Sequence, residues 1–178
     1  MGKSTITASK LACLVLAVAV TTSYSALNAY MRVQGQAQGV IEGECTRTGL
    51  ENWIEVSSVT HLVEIPRDTH TGLPTGQRVH KPLVVRKRTG KSSPKLCQAV
   101  VTGEHCVVEI RLFRMSEAGS EEHYYTVKLE DAIIVDYHPQ TLSDDTVLHE
   151  EVAFTYSKIT WTYEPDGIQT VDDWKEPM

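Results

Sequence analysis

The sequence lacks the short motifs that mark most catalytic and metal-binding sites. It contains no Cys-x-x-Cys pair, no His-x-His or His-Glu-x-x-His spacing, no Gly-x-Ser-x-Gly elbow and no glycine-rich phosphate-binding motif. These absences argue against a zinc site, an α/β-hydrolase and a nucleotide-binding enzyme. We therefore predict that the protein is not an enzyme and that it uses no cofactor and no metal.

Paired acids and tryptophans are the remaining side chains that a catalytic or sugar-binding site could use. Asp144-Asp145 and Glu150-Glu151 are acid pairs of the kind found in glycosidases. Adjacent carboxylates in a polar segment are ordinarily solvated, so we interpret both pairs as surface charge. The tryptophans are better explained by packing in a core or an interface than by a sugar platform. They are Trp53, Trp161 and Trp174.

Cysteine is scarce, and its spacing fits no zinc site. The four residues are Cys13, Cys45, Cys97 and Cys106. Cys97 and Cys106 are close enough in the sequence to form a disulfide if the fold brings them together. The alternative is that Cys13 belongs to a leader and that the other three are small apolar residues.

Basic residues are outnumbered by acidic ones. The chain has 17 Lys and Arg against 23 Asp and Glu, which gives a net charge of −6. An acidic domain repels phosphate backbones, so nucleic acid is not expected as a partner. The charge is uneven, because residues 78–95 are rich in Arg and Lys whereas residues 117–151 and 164–176 are rich in acids. This asymmetry either favours head-to-tail contacts between copies of the chain or only solvates its surface.

Residues 1–25 have the pattern of a secretory signal peptide. Lys3 and Lys10 precede an apolar run over residues 11–20, and the small residues Ser23 and Ser25 suit a cleavage site before Ala26. The run is too short for a comfortable membrane span, so we expect no stable membrane insertion. Three interpretations stay open: a cleaved signal, a start codon assigned too far upstream, and an extension kept in the mature protein.

Residues 26–178 are expected to form one domain of mainly β structure. Val, Thr and Tyr are frequent there, and glycines and prolines separate segments in which apolar and polar residues alternate. The predicted strands cover residues 26–34, 40–45, 52–65 with a bulge near 57–58, 83–88, 105–115, 123–130, 132–137 and 150–163. Long strands with a single short helix predict a small β-barrel of antiparallel strands, with the helix packed on its side. The acidic tail, residues 165–178, is expected to be loop-like.

One segment, residues 92–103, has the pattern of a short helix. Ser93 can cap the first amides, Pro94 suits the first helical position and Gly103 suits the end. A helix this short must pack on a sheet to be stable. The residues expected to dock it share one apolar stripe: Leu96, Ala99 and Val100.

A long extended loop between predicted strands, residues 66–82, is the most informative segment of the chain. Its glycines and prolines suit turns rather than a helix, and its end is cationic. Ordering such a loop costs conformational entropy, which favours a binding role. The residues singled out are Gly72, Pro74, Gly76, Gln77, Arg78, His80, Lys81 and Pro82.

The chain from about residue 26 to residue 177 resembles the Hcp family, the tube-forming proteins of bacterial type VI secretion systems. The loop carries the most specific part of the resemblance. The other matching features are Gly39 after the opening strand, Gly103-Glu104 at the helix end, Glu122-His123-Tyr124, Leu129-x-Asp131-Ala132-x-Ile134-Val135-Asp136, Tyr156-x-Lys158-Ile159-x-Trp161 and Asp172-Asp173-Trp174.

The resemblance implies a structural protein that assembles with itself. Six copies would form a ring, and stacked rings would form a tube that a contractile sheath expels with a VgrG spike at its tip. Small secreted effectors would travel in the lumen. The loop would be the arm that stacks one ring on the next, with Arg78 and Lys81 meeting acids on the neighbouring ring. The protein would be cytoplasmic before firing and then secreted by the type VI system.

The leader conflicts with this resemblance, because Hcp proteins typically begin almost directly with the first strand. If residues 1–25 are a functional signal, the protein would be periplasmic. The alternative function is therefore a Sec-exported periplasmic or surface β-barrel that binds a ligand or partner, with Cys97 and Cys106 oxidised to a disulfide.

Overall fold

β-Strands dominate the computed structural model, which describes residues 28–116, 118–141 and 147–174. Within these ranges there are twelve strands and one helix. The elements are β1 Asn28–Gly35, β2 Gly39–Ile41, β3 Ile54–Val56, β4 Ser58–Thr60, β5 Val63–Glu64, β6 Val79–His80, β7 Leu83–Arg88, α1 Ser93–Thr102, β8 His105–Met115, β9 Glu121–Thr141, β10 Leu148–Thr155, β11 Lys158–Tyr163 and β12 Ile168–Asp173.

The main sheet is antiparallel and curls around one core. Its strands follow the order β2-β1-β8-β9-β10-β7-β4, and β3 pairs with the same edge of β1 as β2 does, opposite β8. A single residue, Ser57, separates β3 from β4, and its amide donates to the Arg86 carbonyl of β7 at 2.8 Å. The segment that contains β3 and β4 therefore contacts both β1 and β7. This arrangement confirms the mainly β, barrel-like fold and the break predicted near residues 57–58.

The core is filled by side chains that alternate along the strands. In β8, Cys106, Val108 and Ile110 are at most 3% exposed, as the period of two predicts. Burial of this kind contributes roughly 25 cal/mol per Å² of apolar surface. The largest fully buried apolar side chains are Phe154, Met31, Ile41, Ile54, Leu83, Leu96, Ile110, Leu129, Ile134 and Ile159.

Strand β9 is a single strand of 21 residues that changes partner along its length. Residues 125–130 pair with β11, whereas residues 133–141 pair with β10. The change occurs at Asp131, which has a φ of 55°. Its carboxylate accepts from Ser157 Oγ at 2.8 Å and contacts His105 Nδ1 at 2.5 Å. The sequence predicted two strands here because the irregularity at Asp131 interrupts the alternation.

Helix α1 is fixed by apolar contacts on one side. Leu96 and Ala99 are fully buried in the core, and Val100 packs against it. Gly103 ends the helix at a φ of 62°, a conformation that favours glycine. The predicted N-cap was wrong, because Ser93 is the first helical residue and the cap position belongs to the residue before it.

The Ser93 hydroxyl instead joins a fully buried ion pair. Lys87 Nζ donates to Glu150 Oε1 at 2.7 Å, and both side chains are completely buried. Ser93 Oγ donates to the same carboxylate oxygen at 2.8 Å, and Tyr137 Oη donates to the other at 2.7 Å. The interpretation of Glu150 as surface charge was therefore wrong, since its partner lies on β7, far away in the sequence.

Replacing Ala99 with aspartate is expected to give insoluble or unfolded protein. The new carboxylate would lie in the core with no room for water, which costs several kcal/mol. Val101→Asp is the matched control, because Val101 lies on the same helix and is 81% exposed. Soluble yield and thermal unfolding of the two variants measure the difference, and a soluble, cooperatively melting Ala99→Asp protein would contradict the docking of α1.

Four further segments differ from the sequence-based expectations. The tail was predicted to be loop-like, but residues 168–173 form β12, which pairs with β11 along its whole length. The predicted strand over residues 150–163 is divided at Tyr156 and Ser157 into β10 and β11. The predicted strand at residues 40–45 ends at Ile41, and residues 52–65 contain three short strands.

The possible disulfide between Cys97 and Cys106 is not present. Cys45, Cys97 and Cys106 are free thiols, and Cys97 is exposed rather than packed as a small apolar residue. Burial raises the pKa of the Cys106 thiol to about 11, so this thiol stays protonated.

Several expectations concern parts of the chain that the structure does not describe. The leader, residues 1–25, lies outside the described residues, as do Cys13 and the acid pair Asp144-Asp145. Among the described residues, no helix is both long and apolar enough to cross a membrane.

Candidate functional site

A two-stranded ribbon, separate from the main sheet, connects β4 to β7. We call residues 62–82 the arm. Its strands β5 and β6 pair with each other, and the pairing continues through a bridge between Arg67 and Pro74. The Lys81 amide donates to the Leu62 carbonyl at 3.0 Å, which closes the ribbon at its base. The sequence predicted a long extended loop here, and the structure makes it a hydrogen-bonded hairpin.

The far end of the arm, its tip, is held by a carboxylate. Asp68 Oδ1 accepts from the amides of His70 and Thr71 at 2.9 and 2.7 Å. These hydrogen bonds lower the pKa of Asp68 below its usual value. Gly72 follows at a φ of 72°, where glycine is favoured. The tip therefore has a defined conformation that its own sequence specifies.

The arm displays apolar side chains that nothing in the described chain covers. Leu62, Val63, Ile65 and Leu73 are 51%, 42%, 54% and 65% exposed. Single exposed apolar residues are common, but four on one short ribbon form a group. An ordered ribbon with apolar side chains and exposed backbone edges is typical of a segment that binds another protein.

The structure divides the predicted loop residues into two groups. One group is exposed along the arm: Gly72, Pro74, Gly76, Gln77, Lys81 and Pro82. The other group, Arg78 and His80, lies at the base and turns toward the barrel, where the His80 side chain is only 2% exposed.

The acids that Arg78 and Lys81 contact belong to the same chain. Lys81 Nζ lies 3.1 Å from Glu64 across the ribbon, and Arg78 pairs with Asp172 of β12. Both cations therefore have acidic partners within the chain, and their contact with acids on a neighbouring ring stays a prediction. Arg78 has its partner because β12, which was not predicted, brings a carboxylate to the base of the arm.

Asp172 joins the arm to the C-terminal strand. Arg78 donates to both of its carboxylate oxygens, from Nε at 2.5 Å and from Nη2. His80 Nε2 lies 2.7 Å from the same carboxylate. The hydrogen bonds from Arg78, and then that from His80, hold the pKa of Asp172 below its usual value. We call the group formed by His61, Arg78, His80, Tyr156 and Asp172 the root.

Aromatic side chains surround the root. The phenol oxygen of Tyr156 lies 2.8 Å from His80 Nδ1 and 2.6 Å from His61 Nε2. The ring of Trp174 lies 5.1 Å from that of His80, and Trp161 stacks on His80 from 6.1 Å. A cavity of about 190 Å³ adjoins these side chains. It is lined by His80, Lys81, Thr155, Tyr156 and Trp174.

Sequence reasoning did not assign a role to His61, Tyr156 or Asp172. Tyr156 and Asp172 were part of the matching segments, but they lie more than 70 positions from the arm residues they contact. The aromatic and acidic residues near the C-terminus were the sequence feature that could have indicated this cluster. Among the described residues, no group of three or more His, Cys, Asp and Glu side chains is arranged to hold a metal ion.

Comparison with known proteins explains the combination of a barrel, one helix and a projecting arm. The family model described as type VI secretion system effector, Hcp, matches residues 30–163. The chain belongs to the Hcp family. The resemblance first recognised from the loop and the C-terminal segments is confirmed.

Individual relatives agree with this assignment. The chain is 45% identical over 166 residues to the "Major exported protein" of Pseudomonas aeruginosa, a match that covers 84% of this chain and 96% of the relative. It is 42% identical to secreted protein Hcp3 from Pseudomonas aeruginosa, with a TM-score of 0.70, covering 82% of this chain and 99% of Hcp3. Hcp1 from the EAEC 042 pathovar of E. coli is 34% identical, with a TM-score of 0.76 and coverages of 84% and 99%.

Membership places the protein in a family of secreted structural proteins of the type VI secretion system. Hcp structures also confirm the fold, since a crystal structure of an Hcp protein has a TM-score of 0.78 and is covered over its entire length.

Proposed function

We propose that this protein is the tube subunit of a type VI secretion system. Six copies form a ring, and rings stack into a tube that the contractile sheath expels with a VgrG spike at its tip. Small effectors are carried in the lumen. The observation that carries this proposal is the arm, an ordered ribbon with four exposed apolar side chains that is tied to the barrel at its base.

The arm suits an axial contact between rings. A surface that binds a different surface on the next copy produces open, extending assemblies, whereas a contact that closes on itself produces rings. Among the described residues, the arm contacts the barrel at its base, through the root and the neighbouring Asp173, Trp161 and Trp174, so the exposed side chains farther along it are available to another copy. The residues assigned to stacking are Gly72, Pro74, Gly76, Gln77, Arg78, His80, Lys81 and Pro82.

Within that set, the roles differ. Arg78 and His80 act indirectly by holding the arm against β12, while the exposed residues form the contact itself. The stripe of α1, Leu96, Ala99 and Val100, docks the helix and leaves its opposite side to solvent or to a neighbouring subunit. Residues 26–178 form the assembling domain, and the protein is cytoplasmic before firing and secreted afterwards. A functional leader at residues 1–25 would instead direct it to the periplasm.

Negative-stain electron microscopy of the purified chain tests this function. We expect six-fold rings, alone and in stacks, because lateral contacts close the ring and the arms extend it. Analytical ultracentrifugation of the same sample should give a species of six chains or larger. Isolated particles of monomer size at high protein concentration would contradict the tube.

A further inference from the structure

A cavity lies on the barrel at the end opposite to the arm. We propose that this cavity, on the next copy of the chain, receives the tip of the arm, and that Arg67 of the tip pairs there with Glu42. This contact rests on the proposed function, because it names the surface to which the stacking arm binds. The cavity has a volume of about 270 Å³. It is lined by Arg32, Val40, Glu42, Glu51, Asn52 and Trp53.

Strand β7 relates the position of the arm to that of the cavity. The arm leads directly into β7 at Leu83, and β7 ends at Arg88. Just beyond that end, Lys91 Nζ lies 3.3 Å from Asn52 Oδ1 and 3.6 Å from Glu42, two residues that line the cavity. Copies stacked in the same orientation therefore bring the arm of one copy to the cavity of the next. Such a contact joins two different surfaces and can repeat without closing on itself.

One face of the arm carries apolar side chains followed by a cation. Side chains alternate along an extended strand, so Val63, Ile65 and Arg67 lie on the same face. The bridge to Pro74 continues the pairing at Arg67. At the base, the same face includes His80, which pairs with Val63 and whose side chain is buried in the root. The face that packs on its own barrel at the base therefore continues toward the tip as exposed side chains.

The outer part of this face is available to another copy. Residues 62–68 form one side of the ribbon, and seven extended residues span about 20 Å. Ile65 is 54% exposed. Arg67 is exposed, and among the described residues its side chain takes part in no ion pair or hydrogen bond. The adjacent Asp68 directs its carboxylate to amides of the tip, so Arg67 is a cation that the tip offers to an outside acid.

The cavity is complementary to this face in polarity. Val40 and Trp53 supply apolar surface, and Val40 is 37% exposed. Glu42, whose side chain is 59% exposed, supplies an accessible carboxylate, and Glu51 supplies a second one. An apolar side chain and a cation on the arm thus meet apolar side chains and carboxylates in the cavity.

The charge around the cavity also favours a cation from outside. The segment over residues 42–55 contains four acids and one arginine, Arg47, which pairs with an acid of β9. The nearby cations are Arg32, which lines the cavity, and Lys91. Four acids against these two cations leave a net charge of −2. Complementary charge of this kind fixes the register of a contact and selects its partner.

Charge reversal on both sides of the pair tests this contact. Arg67→Glu and Glu42→Arg should each reduce the number of stacked ring junctions at least about tenfold, because like charges then face each other at every contact. The double variant, Arg67→Glu with Glu42→Arg, should restore the stacks, because it exchanges the two charges and keeps the pair. Electron micrographs of the full chain at equal protein concentration give the counts.

Glu55→Arg is the matched control for the cavity. Glu55 is an exposed acid of the same segment, on β3, but it does not line the cavity. This variant should stack like the original protein. Arg67, Glu42 and Glu55 are all exposed, so every variant should keep its folded structure, and thermal unfolding checks this.

Each outcome separates the contact from the tube itself. If the original protein forms no stacks, the tube proposal fails and the contact fails with it. If stacks form and either single variant stacks as the original does, the tube stands and the pairing of Arg67 with Glu42 is overturned. Stacks that are lost in the single variants and not regained in the double variant also overturn the pairing, because a general disturbance of the arm or the cavity would give that result.

Discussion

Replacing Lys87 with methionine is expected to lower the free energy of unfolding by about 3–5 kcal/mol. Methionine nearly matches the lysine in shape, but the completely buried carboxylate of Glu150 would lose its countercharge. Lys87 Nζ also donates to the Arg88 carbonyl at 2.7 Å and to Ser93 Oγ at 3.1 Å. Chemical denaturation of the variant and of the original protein measures the loss.

Strands β7 and β10 supply a matched control for this prediction. Arg86 and Glu151 occupy the neighbouring pair of positions on the same two strands, but their side chains are 39% and 32% exposed. Arg86→Met should cost only about 0–1 kcal/mol, because solvent screens exposed ion pairs. Replacing Lys87 by methionine together with Glu150 by leucine should recover only part of the loss, because the unpaired charge is removed but the Ser93 and Tyr137 hydroxyls lose their acceptor. Equal effects of Lys87→Met and Arg86→Met would show that burial does not decide the strength of the pair.

Local sequence patterns correctly predicted the strands and the helix that are specified by the residues within them. Strand β7 and strand β8 have the predicted bounds, and buried positions alternate with more exposed ones along β7 and along the first part of β8. Helix α1 was recognisable from Pro94 and Gly103, whose backbone preferences suit its two ends. The long strands with a single short helix indicated a barrel, and the family resemblance implied the same fold.

Features that depend on distant partners could not be predicted in this way. Strand β12 is an edge strand whose residues are mostly exposed, so it has no apolar alternation to reveal it. From the sequence alone Glu150 is interpreted as a surface acid, because nothing near it in the sequence shows that Lys87 lies opposite it on the paired strand. The partner of Arg78 within the chain could not be predicted either, because Asp172 lies 94 positions away and reaches Arg78 only through the pairing of β12.

Replacing Ile65 and Leu73 together with aspartate is expected to abolish stacked tubes while leaving six-fold rings intact. These side chains are the most exposed apolar groups of the arm, at 54% and 65%, and neither belongs to the core or to the root. Docking both against a neighbouring ring would remove apolar surface from water at about 25 cal/mol per Å². Two carboxylates at the same positions would have to be desolvated without a partner, which reverses the sign of that contribution.

The test is a count of rings and stacks in electron micrographs at equal protein concentration. Val101→Asp is the control, because it adds one acid at an exposed apolar position of α1 outside the arm. Circular dichroism should show that all variants keep their β structure, since the substituted side chains contact no core residue. In the proposed hexameric ring each copy contributes one arm, so the double substitution would place about twelve carboxylates at every ring junction. Like charges at that density would oppose stacking even where single contacts are weak. Long tubes formed by the Ile65→Asp, Leu73→Asp protein would show that the rings stack through another surface.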